Sequence, residues 1–213
     1  MSWTEQFFGS PVRLDVAMRV LLASYFLGCF TTGYYLVRAR TGQDIRDAGS
    51  GSVGARNVGR LLGPYGFVLT LLGDFAKGAA AVWITRYFTG NERLALVALI
   101  VVVAGHIWPL QLRFRGGKGI ATSLGALLVY SPALTLIFAM LIVVGFILTR
   151  RTVISGLTAF ALLPLGSFFL NQDAAQICGI SVLAALVLIA HHKNLAEEIH
   201  QIIERRNLQR PKN

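Results

Sequence analysis

Apolar residues run through the chain in long stretches, and the polar residues are gathered into short ones between them. Seven apolar stretches stand out, at about 16–37, 65–85, 94–108, 120–130, 133–148, 153–170 and 174–190. Runs of this kind predict membrane-crossing helices. The first is long enough to span, with Arg19 near its start able to snorkel to the interface. The second carries Asp74 and Lys77 within it. The third is short and ends in Gly105-His106-Ile107-Trp108-Pro109, and the fourth is shorter still, broken from the fifth by Ser131-Pro132. No repeat with a period of 20–50 residues is present. The pattern predicts an all-α integral membrane protein with about seven transmembrane helices, some of them short or re-entrant.

Charge orients these segments. With the N-terminus outside and all seven crossing, the inner side receives Arg38, Arg40, Arg46, Arg56, Arg60, Arg113, Arg115, Lys118, Arg150, Arg151 and the five basic residues of the tail. That is fifteen of the 20 basic residues, and only Arg13, Arg86 and Arg93 fall outside. Fusing segments four and five into one helix would move Arg150, Arg151 and the basic tail outside, against the positive-inside rule. A re-entrant hairpin made of those two segments preserves the parity equally well. The C-terminus is then cytoplasmic, and three polar stretches, 38–63, 109–119 and 191–213, share one face of the membrane.

Composition excludes the soluble classes. Hydrophobic residues make up 54% of the 213 and charged residues 14%, against roughly 25% charged in an ordinary globular chain. A secreted disulfide scaffold, a disordered tail and a cytosolic enzyme are ruled out. The net charge of +10 fits the positive-inside bias or anionic ligands better than nucleic acid. Cys29 and Cys178 lie in apolar runs without metal-site spacing. The first fifteen residues, with Glu5, Asp15 and only Arg13, make a poor signal peptide, and Leu27-Gly28-Cys29 lies too deep in the first segment for a lipoprotein site. Residues 1–195 read as a single membrane domain, and 196–213 as a basic cytoplasmic tail forming a short interfacial helix.

The polar stretches carry the chemistry. The first contains Gly49-Ser50-Gly51-Ser52-Val53-Gly54-Ala55-Arg56-Asn57-Val58-Gly59-Arg60. Small residues at Gly51 and Gly54 let backbone N–H groups converge on an anion, Ser50 and Ser52 add hydroxyl donors, and Arg56 and Arg60 add forked cations on one helical face beside Asn57. The second contains Arg115-Gly116-Gly117-Lys118-Gly119-Ile120-Ala121-Thr122, a flexible backbone with two cations just before a helix start. It is not a nucleotide-binding P-loop, because Gly follows Lys118 and Leu112 stands at the first glycine position. His106 precedes it, either as an interfacial hydrogen-bonding residue or as a general base or phosphate donor. The third is Ala190-His191-His192-Lys193-Asn194-Leu195, in which His191 and Asn194 share a helical face. No second cluster of His, Cys or carboxylates joins the two histidines, so no metal and no cofactor is expected. Asp74 and Lys77, three apart, are expected to pair inside the membrane and could bring Lys77 near a phosphate.

These motifs, GSGSVGARNVGR, GDFAKG, GHIWPLQLRFRGGKGIAT and HHKN in that order, resemble those of the bacterial acyl-phosphate:glycerol-3-phosphate acyltransferases, the PlsY family. The resemblance runs from about residue 21 to 195. Ser52 and Arg56 vary from the family pattern, Ala190 and Glu197 stand where arginines are usual, and Val153 stands near a usual serine, with Thr152 and Ser155 close by. The resemblance implies a seven-helix inner-membrane enzyme with its site on the cytoplasmic side. It implies transfer of a fatty acyl group from acyl phosphate to the first hydroxyl of sn-glycerol 3-phosphate. The products would be lysophosphatidic acid and phosphate, at the first step of phospholipid synthesis, with a functional link to an acyl-phosphate-producing enzyme.

The residues themselves are consistent with that reaction. Two phosphates brought together need several cations and backbone donors, which Arg56, Arg60, Arg115 and Lys118 and the two glycine-rich loops can supply. No Gly-x-Ser-x-Gly elbow or Ser-His-Asp order is present, so direct attack without an acyl-enzyme is expected. His191, His106 or a substrate phosphate oxygen could take the proton. None of His106, His191, His192 and His200 is followed five residues on by Asp, which disfavours the acyl-CoA-using soluble chemistry. A small-anion transporter and a lipid-binding scaffold are the rival readings.

Overall fold

The computed structural model describes residues 12–192, and among them every regular element is helical. The order is α1 (Leu14–Cys29), α2 (Thr32–Thr41), a 3-10 turn at Ile45–Asp47, α3 (Ala55–Thr89), α4 (Glu92–Ile107), a second 3-10 turn at Leu110–Leu112, α5 (Ile120–Tyr130), α6 (Pro132–Thr149), α7 (Thr152–Phe169) and α8 (Ala174–Ala190). The expected seven apolar segments all become helix. The first differs from expectation, because the run 16–37 is two helices bent by 40° at Phe30-Thr31. Four helices are long and apolar enough to cross a membrane, five if α1 and α2 count as one bent span, and α5 and α8 are shorter.

Local chemistry sets the boundaries. Asn91 caps α4 by accepting from the Leu94 N–H at 2.8 Å, and Asp173 with Gln176 forms a capping box at the start of α8. Ser131 ends α5 and caps α6, whose first residue is Pro132, so the two are separate helices. Helix α3 is kinked where Gly63 takes φ 72° and Pro64 restarts the helix. The piece before the kink carries Arg56, Asn57 and Arg60.

Helix α4 lies at the centre, packed against α1, α3, α5 and α8, while α6 and α7 form an outer hairpin with α8 against α7. Two crossings are unusually close. A Cβ at Gly28 would overlap the Val102 carbonyl and one at Gly105 the Tyr25 carbonyl, so α1 and α4 touch backbone to backbone. Gly78 meets the Thr122 carbonyl and Gly125 the Phe75 carbonyl in the same way between α3 and α5. Small residues at crossings are how helices associate when lipid removes the hydrophobic driving force. The close α3–α5 crossing fixes the start of α5, and with it Lys118.

Candidate active site

The site is built from loops that meet at one end of the helices. Arg46 joins the first loop to the second: it pairs with Asp44 at 2.6 Å, donates to the Leu112 carbonyl at 2.8 Å and lies over the Tyr34 ring. The Arg46 hydrogen bonds hold the Asp44 carboxyl below its usual range. Sequence reasoning counted Arg46 only as a positive-inside charge. Its neighbour Asp44 hinted at a local pair, but nothing in the sequence pointed to Leu112, 66 residues on.

Within the first loop the expected anion site is arranged around Asn57. Its Oδ1 accepts from the Ser50 N–H at 3.0 Å, and its Nδ2 donates to the carbonyls of Ala48 at 2.9 Å and Ser52 at 3.0 Å. The amide of Asn57, expected beside a phosphate, is engaged in folding residues 48–52 onto the first turn of α3. Ser52 Oγ accepts from the Gly54 N–H, and Gly54 is the N-cap of α3. Ser50 and Gly51 are exposed. Arg56 and Arg60 do share a face, as their spacing predicts. They line an open groove of about 320 Å³ with Gly59, Pro64 and Phe67, cationic at one side and apolar at the other.

The second loop folds back on the end of α4. Gly116 N–H donates to the Ile107 carbonyl at 3.1 Å and Gly117 N–H to the His106 carbonyl at 3.0 Å. At Gly116 and Gly117, expected as a phosphate cradle, both amides are bonded inside the protein and form a backbone clasp. A Cβ on Gly116 would overlap the same carbonyls, and one on Gly117 would overlap His106 Nε2. Glycine is needed here for close approach. Tyr25 Oη donates to the Trp108 carbonyl at 2.8 Å and Gln111 Nε2 to the Cys29 carbonyl, which tie this loop to α1. Gly119, at φ 83°, is the N-cap of α5 and has no side chain to satisfy the first-turn N–H groups. The positive end of α5 thus lies directly beside Lys118. Arg115 is exposed. Thr122 is fully buried, so its hydroxyl does not open to the site as expected.

His191 ends α8 and is buried. Its Nδ1 donates to the Val187 carbonyl at 2.8 Å, which leaves Nε2 as the ring's lone-pair nitrogen. Burial first, then the Lys118 charge, push this imidazole below its ordinary value. Lys118 is near enough for its charge to act on His191, so the second and third polar stretches approach each other there. Asn194 and the expected tail helix lie outside the described residues.

His106 and Lys77 are somewhere else. Each is at most 5% exposed. Lys77 Nζ donates to the carbonyls of Gly28 at 2.9 Å and Phe30 at 2.7 Å, faces His106 Nδ1 at 2.9 Å and pairs with Asp74 at 3.1 Å. The three hydrogens of the ammonium are thus shared among four partners. Lys77, expected beside a phosphate, and His106, expected as base or phosphate donor, both lie buried beneath the loop. Among the described residues no three His, Cys, Asp or Glu side chains converge to ligate a metal ion.

Known proteins share this arrangement. The sequence profile described as glycerol-3-phosphate acyltransferase matches residues 18–201. A relative from Desulfitobacterium hafniense (strain Y51), glycerol-3-phosphate acyltransferase 1, is 43% identical over 187 residues, 88% of this chain and 93% of its own. The glycerol-3-phosphate acyltransferase of Syntrophomonas wolfei is 38% identical over 83% of this chain and 90% of its own. Two crystal structures of the integral membrane glycerol 3-phosphate acyltransferase PlsY superpose as well. Its glycerol 3-phosphate form has a TM-score of 0.80 at 30% identity, covering 87% of this chain and 92% of that one. Its lysophosphatidic acid form has a TM-score of 0.77 at 28% identity. With 43% identity across nearly its whole length and the same fold, this chain belongs to the glycerol-3-phosphate acyltransferase family of integral membrane enzymes.

Proposed function

We propose that this enzyme moves a fatty acyl group from acyl phosphate to the sn-1 hydroxyl of glycerol 3-phosphate, giving lysophosphatidic acid and phosphate. The observation that carries the reading is that Lys118, beside the positive end of α5, lies near enough to the buried His191 for its charge to act on that imidazole. A cationic groove, formed by Arg56 and Arg60, lies along the first turns of α3. Two anionic substrates, one with an acyl chain, need cations beside apolar walls. The relatives' names support the acceptor, and the neighbouring structures hold glycerol 3-phosphate and lysophosphatidic acid in that protein.

In the proposed step the acceptor oxygen attacks the acyl carbonyl carbon directly. The new ester C–O bond forms as the bond from that carbon to the phosphate oxygen breaks. His191 Nε2 accepts the hydrogen bond of the attacking hydroxyl, and the proton ends on the departing phosphate, directly or through the ring. Lys118 and the first-turn N–H groups of α5 offset the charge that collects on the phosphates. Ser50, Ser52, Gly51, Gly54, Arg56, Arg60, Arg115 and Asn194 complete the two phosphate sites. Loop geometry around Asn57, Gly116, Gly117, Gly119 and Thr122 shapes them. No cofactor enters this scheme.

We place the basic end of the bundle at the cytoplasmic face of the bacterial inner membrane, with the N-terminus outside and all seven apolar segments crossing. The positive-inside bias supports this orientation. Acyl phosphate is a reactive mixed anhydride, so a separate enzyme must make it close by. The test is a donor comparison on detergent-purified protein, with labelled glycerol 3-phosphate and palmitoyl phosphate, palmitoyl-CoA or palmitoyl carrier protein. Lysophosphatidate from palmitoyl phosphate alone is the expected result. Equal or faster turnover of the CoA or carrier-protein thioester would overturn the proposed donor.

A further inference from the structure

The break between α1 and α2 strips carbonyls of their helical partners. Helix α1 ends at Cys29, and Phe30 and Thr31 are extended, so the carbonyls at this end have no N–H one turn on. In an apolar surrounding such groups must be satisfied by something else. Carbonyls at a broken membrane helix, next to a carboxylate, make a cation site. Here the cation belongs to the chain. The Lys77 ammonium takes the Gly28 and Phe30 carbonyls, and Gln111, from the second loop, takes Cys29. Asp74 balances the charge and accepts from the Thr32 N–H at 3.3 Å, so it holds the α2 side of the same break.

The three Lys77 hydrogens are shared among the two carbonyls, Asp74 and His106 Nδ1, which lies 2.9 Å from Nζ. Because an ammonium can only donate, Nδ1 accepts and the ring proton sits on Nε2. That nitrogen lies against Gly117, whose own N–H is bonded to the His106 carbonyl, one residue before Lys118. A rigid chain of contacts therefore runs from the α1–α2 break, through Lys77 and His106, to the backbone that carries Lys118.

From this chain of contacts we infer that Asp74, Lys77 and His106 are positioning residues: they hold the ring of His106 beneath Gly117 and so fix where Lys118 meets its phosphate. They touch no substrate. The inference rests on the reading of Lys118 as a substrate-binding cation, but its geometry does not depend on the donor.

Hydrogen–deuterium exchange on the detergent-purified full chain tests it. In His106→Asn the side-chain oxygen keeps an acceptor for Lys77, while the ring is removed from under Gly117. The amides of residues 115–119 are expected to exchange about tenfold faster, with α6 and α7 at the wild-type rate. Turnover is expected to fall, and His106→Asn added to Lys118→Ala is expected to cost nothing further, because the two act through one group. The charge-neutral pair Asp74→Asn with Lys77→Met is expected to loosen the same amides. Unchanged exchange at 115–119 in both variants would overturn the inference. So would faster exchange spread equally over α6 and α7, which would make the cluster a general stabiliser. Exchange needs no reaction, so a wild-type enzyme that rejects palmitoyl phosphate would defeat the proposed donor and leave this result to be read on its own.

Discussion

Helices α4 and α6 look alike in the sequence, and the structure uses them in opposite ways. Both are runs of aliphatic residues. In α4, Leu99, Val102 and Val103 are fully buried, and Gly105 lets α1 lie against its backbone. In α6 only Leu134 and Phe138 are buried, while Leu136 and Met140 are 64% and 60% exposed. The difference lies in the small and polar residues, since lipid is as good a solvent for leucine as a protein core. Glycines at 28, 78, 105 and 125 mark the crossings, and His106, Asp74 and Lys77 mark the interior. Apolar content shows that a helix is in the membrane. It does not show whether the helix faces lipid or protein.

The sharpest way to break this comparison is to place a methyl group in each region. Alanine favours a helix over glycine by about 1 kcal/mol, so a substitution without a clash should stabilise. At Gly125 the Cβ would enter the Phe75 carbonyl, and two backbones would have to part. Gly125→Ala is expected to cost at least about 3 kcal/mol, the upper end of ordinary overpacking, and to shift Lys118. At Gly145 of α6 the nearest atom is the Ser155 Cβ at 3.2 Å, a contact that a small shift relieves. Gly145→Ala is expected to change stability by less than about 1 kcal/mol. Thermal unfolding in detergent reads both. Equal losses would mean that α6 is packed as tightly as the α3–α5 crossing.

A smaller effect separates the two ends of α5. Its start belongs to the site. Its C-terminal carbonyls are held by Arg86, which donates to Tyr130 at 2.7 Å and to Val129, pairs with Glu92 and lies over the Tyr130 ring. Arg86→Ala is expected to cost about 1–2 kcal/mol, the scale of charge-assisted hydrogen bonds, and to leave turnover per folded molecule unchanged. A large loss of turnover at unchanged stability would mean that the far end of α5 controls the site.

What was legible followed from short-range patterns. The break at Ser131-Pro132 fell where the turn residues stood, and the run 120–130 became the helix Ile120–Tyr130. Arg56 and Arg60, four apart, did line one groove. The bend at Phe30-Thr31 was hidden because the residues around it are still apolar, and the carbonyls it frees are met by a lysine on another helix. His106 and Asn57 have the residue types of ligands, but their partners are backbone carbonyls and amides that only the folded loops bring near. The Asp74–Lys77 pair could be read from spacing. Its link to the second loop through His106 could not.

Lys118 is the cation that we propose meets the reacting phosphate. The measurement that tests it most directly is lysophosphatidate formation from palmitoyl phosphate and glycerol 3-phosphate by Lys118→Ala beside the wild type, with the unfolding midpoint of each. Lys118→Ala is expected to lose turnover by roughly a hundredfold or more, the scale of one charge-stabilising donor, at an unchanged midpoint. Wild-type turnover from folded Lys118→Ala would contradict the account.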